Sequence, residues 1–232
     1  MSELIKRLDR LFLKLDHMAL LVEQSLSDAI YALVAGDEED ARAVIEADET
    51  IDNREVEIER ECIRLLALYQ PAAIDLRRIC FVIKTNNDLE RIADLSVSLS
   101  KMRLILLNEE IAMLPFTRFQ KLADLVTDAL HQTVRLFATQ PEGDAKESQE
   151  SNHLTLARSI ISNDGLIIDV VFREFLEEVL SEKNLLEGKT NAIYALTSLG
   201  RSLERIGDLC TNIAEDVIFL YTGEIVRHGG KQ

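Results

Sequence analysis

Two short acidic phrases stand out in the sequence. Glu90 and Asp94 sit four residues apart in an E-R-I-x-D pattern, and Glu204 and Asp208 repeat it. Residues at that spacing share one face of a helix. At about 100° per residue, Ile79, Ile83 and Val97 fall on nearly the same line as Glu90. That line is therefore apolar, then acidic, then apolar. The main apolar stripe runs beside it through Val82, Leu89, Ile92 and Leu99. Around Glu204 and Asp208 the line continues as Ile193 and Thr197 on one side and Thr211 and Glu215 on the other. A third row, Asp48, Asp52, Glu55 and Glu59, follows Ala41, Val44 and Ile45 and precedes Cys62 and Leu66. A fourth is weaker: Asn163, Asp164 and Asp169 lie near the matching place, but the spacing is broken and Ile167 and Ile168 intervene.

Carboxylates at i and i+4 repel unless something offsets them. A hard cation with oxygen ligands does so, as with magnesium, calcium, manganese or iron. The competing reading is a solvated face, or pairing with Arg91 and Arg205, which directly follow Glu90 and Glu204. Recurrence of E-R-I-x-D in two places favours the metal reading over the solvated one. Other chemistry is thinly supported. Glu150-x-x-His153 matches half of a di-iron bundle signature, but a ferritin-like site needs two such motifs facing inward. No GxSxG, phosphate-cradling glycine loop or Cys–His pair at a telling spacing is present. Gly200 and Gly207 read as sites of close helix packing. His17 and His131 read as surface residues, and Cys80 and Cys210 as core.

The elements that must hold these rows are long helices. Gly36, Pro71, Pro115, Pro141 with Gly143, and Gly188 divide the chain into six segments. Proline is tolerated at helix starts and excluded from interiors. The expected helices are therefore 3–35, 38–69, 72–109, 116–139, 150–182 and 189–221. In the first, Leu4, Leu8, Leu11, Leu15, Met18, Val22, Leu26, Ile30 and Leu33 recur every three or four residues, as in a bundle helix. The chain also repeats itself. Met18, Val22, Leu26, Ile30 and Leu33 align with Leu122, Val126, Leu130, Val134 and Phe137. DLERIADL (88–95) aligns with SLERIGDL (202–209) at a slightly larger separation. The difference matches the polar segment 141–150. The expected fold is all-α, two tandem three-helix bundles related by an internal repeat, spanning 1–114 and 115–232.

Composition agrees. The chain has 232 residues, 47% hydrophobic but only 9 Gly, 3 Pro and no Trp, a profile for helices rather than strands. With 41 acidic and 26 basic residues the net charge is −15, which opposes nucleic-acid binding and favours cations or basic partners. Three cysteines without CxxC spacing suit a reduced, cytoplasmic setting. Uninterrupted apolar runs are short, well below the roughly 20 residues that span a bilayer.

The phrases ADETID (47–52), QPAAIDLRRI (70–79), NDLERIADL (87–95) and SLERIGDLCTNIAEDVIFLYTGE (202–224), with Arg227–His228, resemble the PhoU family of phosphate-uptake regulators. The resemblance covers nearly the whole chain and implies the same doubled helical bundle. It implies metal sites at E/D-x-x-x-D motifs, here Asp48 with Asp52, Glu90 with Asp94, and Glu204 with Asp208, and Asp169 at the weaker fourth row. The metal would be a divalent or trivalent ion such as iron, zinc, manganese or magnesium. Leu95 and Leu209 stand where the family often has His, and the fifth-helix motif is degraded, so the first bundle carries the stronger expectation. The resemblance further implies a cytoplasmic homodimer that regulates negatively. It would associate peripherally with membrane complexes, between a PstB-type ATPase of a phosphate ABC transporter and a PhoR-type sensor histidine kinase. The alternatives are a metal-dependent helical-bundle enzyme and a PhoU-like regulator of another transporter.

Overall fold

The computed structural model describes residues 3–111, 116–136 and 146–226. The first bundle is α1 (Glu3–Ala35), α2 (Glu38–Tyr69) and α3 (Ala73–Asn108). The second is α4 (Thr117–Arg135), then α5 (Lys146–Asn163), a π-turn (Asp164–Ile168) and α6 (Asp169–Ser181) in line, a short α7 (Lys183–Leu186), and α8 (Thr190–Thr222). There are no strands among the described residues. The bundle boundary expected near Pro115 lies outside the described residues, as does the end of the helix expected to reach 139. The fifth expected helix, 150–182, is two helices joined by the π-turn.

Local chemistry explains the breaks. Asp37 caps α2, its carboxylate accepting from the Glu39 and Asp40 amides at 2.7 and 3.2 Å. Gly36 precedes it at φ +79°, a conformation that suits glycine. Gly223 ends α8 at φ +78°, its amide donating to the Phe219 carbonyl at 2.9 Å.

The apolar ladder of α1 is core as expected: Leu8, Leu11, Leu15, Met18, Val22, Leu26 and Leu33 are buried, with Leu4 and Ile30 half-buried. By length and composition α1 is apolar enough to cross a membrane, a test that the core helix of a bundle also passes. It carries apolar residues on a second face as well, including the exposed Leu13, Leu20, Tyr31 and Val34.

The two bundles meet through their third helices, α3 and α8. These run antiparallel. Arg77, near the start of α3, lies against Gly223 at the end of α8, and Lys84 pairs with the buried Asp216. Arg78 bonds Asp9 on α1 at 3.1 Å and lies over the Phe12 ring. The doubled arginine at 77–78 thus ties three helix ends together. In the second bundle Phe175 packs among Phe116, Phe119 and Gly200, where a Cβ would come within 2.9 Å of its ring.

Candidate metal centre

In the first bundle the rows of α2 and α3 face each other. Asn86, buried on α3, donates to the Glu55 backbone carbonyl at 3.0 Å and sets the two helices together. Burial raises the Glu90 carboxyl, and Asp94, Asp52, Glu55 and Asp48 raise it further. Asp48 is likewise raised, by burial first and then by Asp52 and Asp94, with Lys101 opposing. Glu55 is raised by burial, Glu59 and Asp52. Negative charges on two helices therefore oppose one another across one seam. Asp52 and Asp94 are exposed; Asp48, Glu55 and Glu90 are half-buried.

The second bundle builds the same arrangement by a different backbone. Asp164 and Asp169 are five apart, one more than Asp48 and Asp52. The π-turn absorbs the extra residue: the Asp169 amide donates to the Asp164 carbonyl, closing one i→i+5 turn. Both aspartates then act on the α8 row. Burial pushes the Asp164 carboxyl up to about 6, with Asp208, Asp169 and Glu204 adding to the rise and the Thr211 hydroxyl opposing it. Glu204 is raised by burial, Asp208 and Asp169, with Arg205 and Arg201 drawing it back. Asp208 is raised by burial and Asp169. The broken spacing of the fifth-helix row is thus not a lost row. Asp164 belongs to the cluster, and the available signal was its place next to Asn163 and close to Asp169 near the matching position.

Gly207 makes the close approach possible. A Cβ there would stand 2.8 Å from Asp164 Oδ1 and 3.2 Å from Ile168. The first repeat has Ala93 at this place and a regular α2.

Pairing with the neighbouring arginines does not describe the first cluster, and in the second Arg205 offsets Glu204 and Asp208 only in part, since both stay raised. Arg91 turns to Asp88, at 3.4 Å, rather than to Glu90. Other ion pairs use different carboxylates: Arg7 with Glu3, Lys14 with Glu57, Arg42 with Glu38. Asp48 Oδ1 and Asp164 Oδ1 are both shielded from solvent and meet no donor at hydrogen-bond geometry, although the Thr211 hydroxyl stands near enough to Asp164 to offset part of its rise. Buried oxygens without partners are costly, and all-oxygen donor sets suit hard cations. The two rows therefore fit a metal in chemistry. In geometry they are open: among the described residues no three His, Cys, Asp or Glu side chains stand close enough to hold one ion. A bound ion would have to draw α2 toward α3, and the π-turn toward α8.

The remaining candidates fall away from the site. His131 is exposed and meets Glu23 at 2.6 Å. His153 is buried, not at a polar edge, and its Nδ1 lies 2.8 Å from the Tyr221 hydroxyl. Cys62 and Cys210 are buried core thiols, while Cys80 is only half-buried.

A sequence profile of the PhoU domain matches residues 15–102 and again 119–217. The chain belongs to the PhoU family. A PhoU homolog of Aquifex aeolicus, described as a phosphate-specific transport system accessory protein, is 35% identical over 97% of this chain and 96% of its own. One from Pseudomonas putida is 34% identical, covering 92% of this chain and 78% of the relative. Two crystal structures share the fold. PhoU from Pseudomonas aeruginosa superposes with a TM-score of 0.83 at 30% identity, over 96% of this chain and 100% of that one. The phosphate transport system regulatory protein PhoU from Streptococcus pneumoniae gives 0.81 at 25%, over 97% and 100%. Family members are accessory or regulatory proteins, and this chain is accordingly not an enzyme.

Proposed function

We propose that this PhoU-family chain is a cytoplasmic regulator of phosphate uptake whose two carboxylate clusters bind metal. The observation that carries the metal reading is the pair of shielded aspartate oxygens, Asp48 Oδ1 and Asp164 Oδ1, each without a donor at hydrogen-bond geometry and set among carboxylates that raise one another's pKa. Asp48, Asp52, Glu90 and Asp94 would hold one site, with Glu55 beside them. Asp164, Asp169, Glu204 and Asp208 would hold the other. The ion would neutralise the seam and tie the second helix of each bundle to the third. Iron, zinc, manganese and magnesium are the candidates.

The regulatory reading follows from what the relatives are described as doing. The chain would act as a homodimer at the cytoplasmic parts of a phosphate ABC transporter, through its PstB-type ATPase, and a PhoR-type sensor kinase, which it would restrain. To do so it must bind the kinase's inactive state more tightly than the active one, since equal binding shifts nothing. Two measurements test the proposal. Elemental analysis of protein purified without chelator should find metal, and Glu90→Ala with Asp94→Ala should lower it without unfolding the chain. Unchanged metal content would overturn the metal reading. Affinity purification at physiological salt should recover the ATPase or the kinase. Recovery of neither, with phosphate-regulated transcription unchanged on deletion, would overturn the regulatory reading.

A further inference from the structure

The second faces of α1 and α2 enclose a groove of about 430 Å³. Its floor is apolar and small, with Leu21, Val44, Ala47 and Ile51 among the lining residues, and Tyr31 stands at its edge, 63% exposed. The repeat supplies an internal control. The equivalent groove of the second bundle is lined by Leu125, Ile160, Asn163 and Ile168, which correspond to Leu21, Val44, Ala47 and Ile51. There the volume is only about 40 Å³. Larger side chains (Ile160 for Val44, Asn163 for Ala47) and the π-turn narrow it. Among the described residues the same place is thus tighter in one repeat than in the other.

The open groove continues a surplus apolar face. One face of α1 carries the core ladder and another is left uncovered within the chain. Leu13, Leu20 and Tyr31 extend along the exposed side of that helix. A volume of this size is typical of a ligand-holding cleft. No basic residue lines it, while Asp28 and Asp40 do.

We infer that this groove receives an amphipathic helix of a partner protein, with large apolar side chains seated over Ala47 and Lys or Arg side chains reaching Asp28 and Asp40. Charge selects this occupant. A second copy paired groove to groove would set its own Asp28 and Asp40 against the same acidic rim. An anionic membrane surface would repel that rim as well. A cationic amphipathic helix satisfies both the apolar floor and the acidic edge, in the manner of known helix-in-groove recognition. The inference rests on the reading of the chain as a regulator that docks on other proteins, and it does not involve the metal clusters.

The test uses the full chain and a fluorescein-labelled helix of about 14 residues, with Leu and Phe on one face and Lys and Arg on the other, long enough at ~1.5 Å per residue to follow the groove. The control peptide has the same composition in scrambled order. Binding is read by fluorescence anisotropy, and its place by methyl shifts of Val44 and Ile51. The ordered peptide should bind and move those methyls. Ala47→Leu, on an exposed position, should weaken binding at least about tenfold, one large side chain's worth of contact. Asp28→Asn with Asp40→Asn should weaken it a few-fold and flatten its salt dependence. Circular dichroism verifies that each variant is folded. Equal binding of the scrambled peptide, unmoved methyls, or an undisturbed Ala47→Leu variant would overturn the inference. So would a dimer in sedimentation that Ala47→Leu dissociates, since a second copy would then own the groove, or groove-dependent binding to anionic lipid vesicles. Failure here with recovery of kinase or ATPase would remove the groove alone. Peptide binding without such recovery would leave the groove and remove the named partners.

Discussion

Replacing Asp164 by Asn should stabilise the metal-free protein at neutral pH. Its carboxyl is pushed from the ordinary value of 3.8 up to about 6 by burial and by Asp208, Asp169 and Glu204. The sign follows from linkage. A carboxyl whose pKa is raised on folding helps stability fully below its unfolded value, and that help is lost as pH climbs through the folded value. Between about pH 4 and pH 6 the folded chain therefore loses stability relative to the unfolded one. Two pKa units correspond to about 3 kcal/mol. Asp164 is half-buried and partly screened by water, so about 1–2 kcal/mol is the realistic share. For a chain of this length that is about 2–8 °C in midpoint. The assay is thermal unfolding in chelator at pH 4.5 and pH 7.5, for the native chain and Asp164→Asn. The variant should melt higher at pH 7.5, and its advantage should shrink toward pH 4.5. With added manganese or iron the order should reverse, because only the native chain keeps the ligand. A variant that melts lower in chelator at pH 7.5 would refute the argument that Asp164 is a strained charge.

Gly207→Ala should cost about 1–3 kcal/mol, since its Cβ would press on Asp164 and Ile168; a chemical denaturation midpoint reads this directly. Deleting the exposed Leu166 should return the π-turn to regular helix, keep the fold, and make Gly207→Ala less damaging, a coupling that a double-mutant cycle measures. Phe175→Ala should cost about 3–5 kcal/mol because the ring fills the core between Phe116, Phe119 and Gly200. Burial lowers the His153 pKa, so its contribution holds above about pH 6.5 and is lost as pH falls; His153→Gln should flatten the stability profile on that acid limb.

The helical architecture was legible because each segment of the chain argues for it separately. Leu8, Leu11, Leu15, Met18 and Val22 carry the helical period, Gly36 and Pro71 mark where helices must stop, and the aligned apolar residues of the repeat demand the same unit twice. The rows on α2, α3 and α8 were legible for the same reason, since i, i+4 spacing on a regular helix is a statement about direction. The fourth row was not. Asp164 and Asp169 looked out of step because spacing rules assume 3.6 residues per turn, and a single wider turn breaks that assumption. Whether a π-turn forms depends on what stands opposite, here the bare Gly207 on another helix.

The sequence by itself determined the elements, the doubling and the donor chemistry, because periodicity, helix punctuation and residue type are local properties. Tertiary structure decided which charges oppose one another. It placed Glu90 against Asp48 and Asp164 against Asp208, turned Arg91 to Asp88, and left Asp48 Oδ1 and Asp164 Oδ1 without a donor at hydrogen-bond geometry. It also decided that the cavity between the first two helices is wide in one repeat and narrow at the matching place in the other. Those outcomes depend on packing distances between helices far apart in the chain, where a change from Ala47 to Asn163 or one added residue in a turn alters what fits.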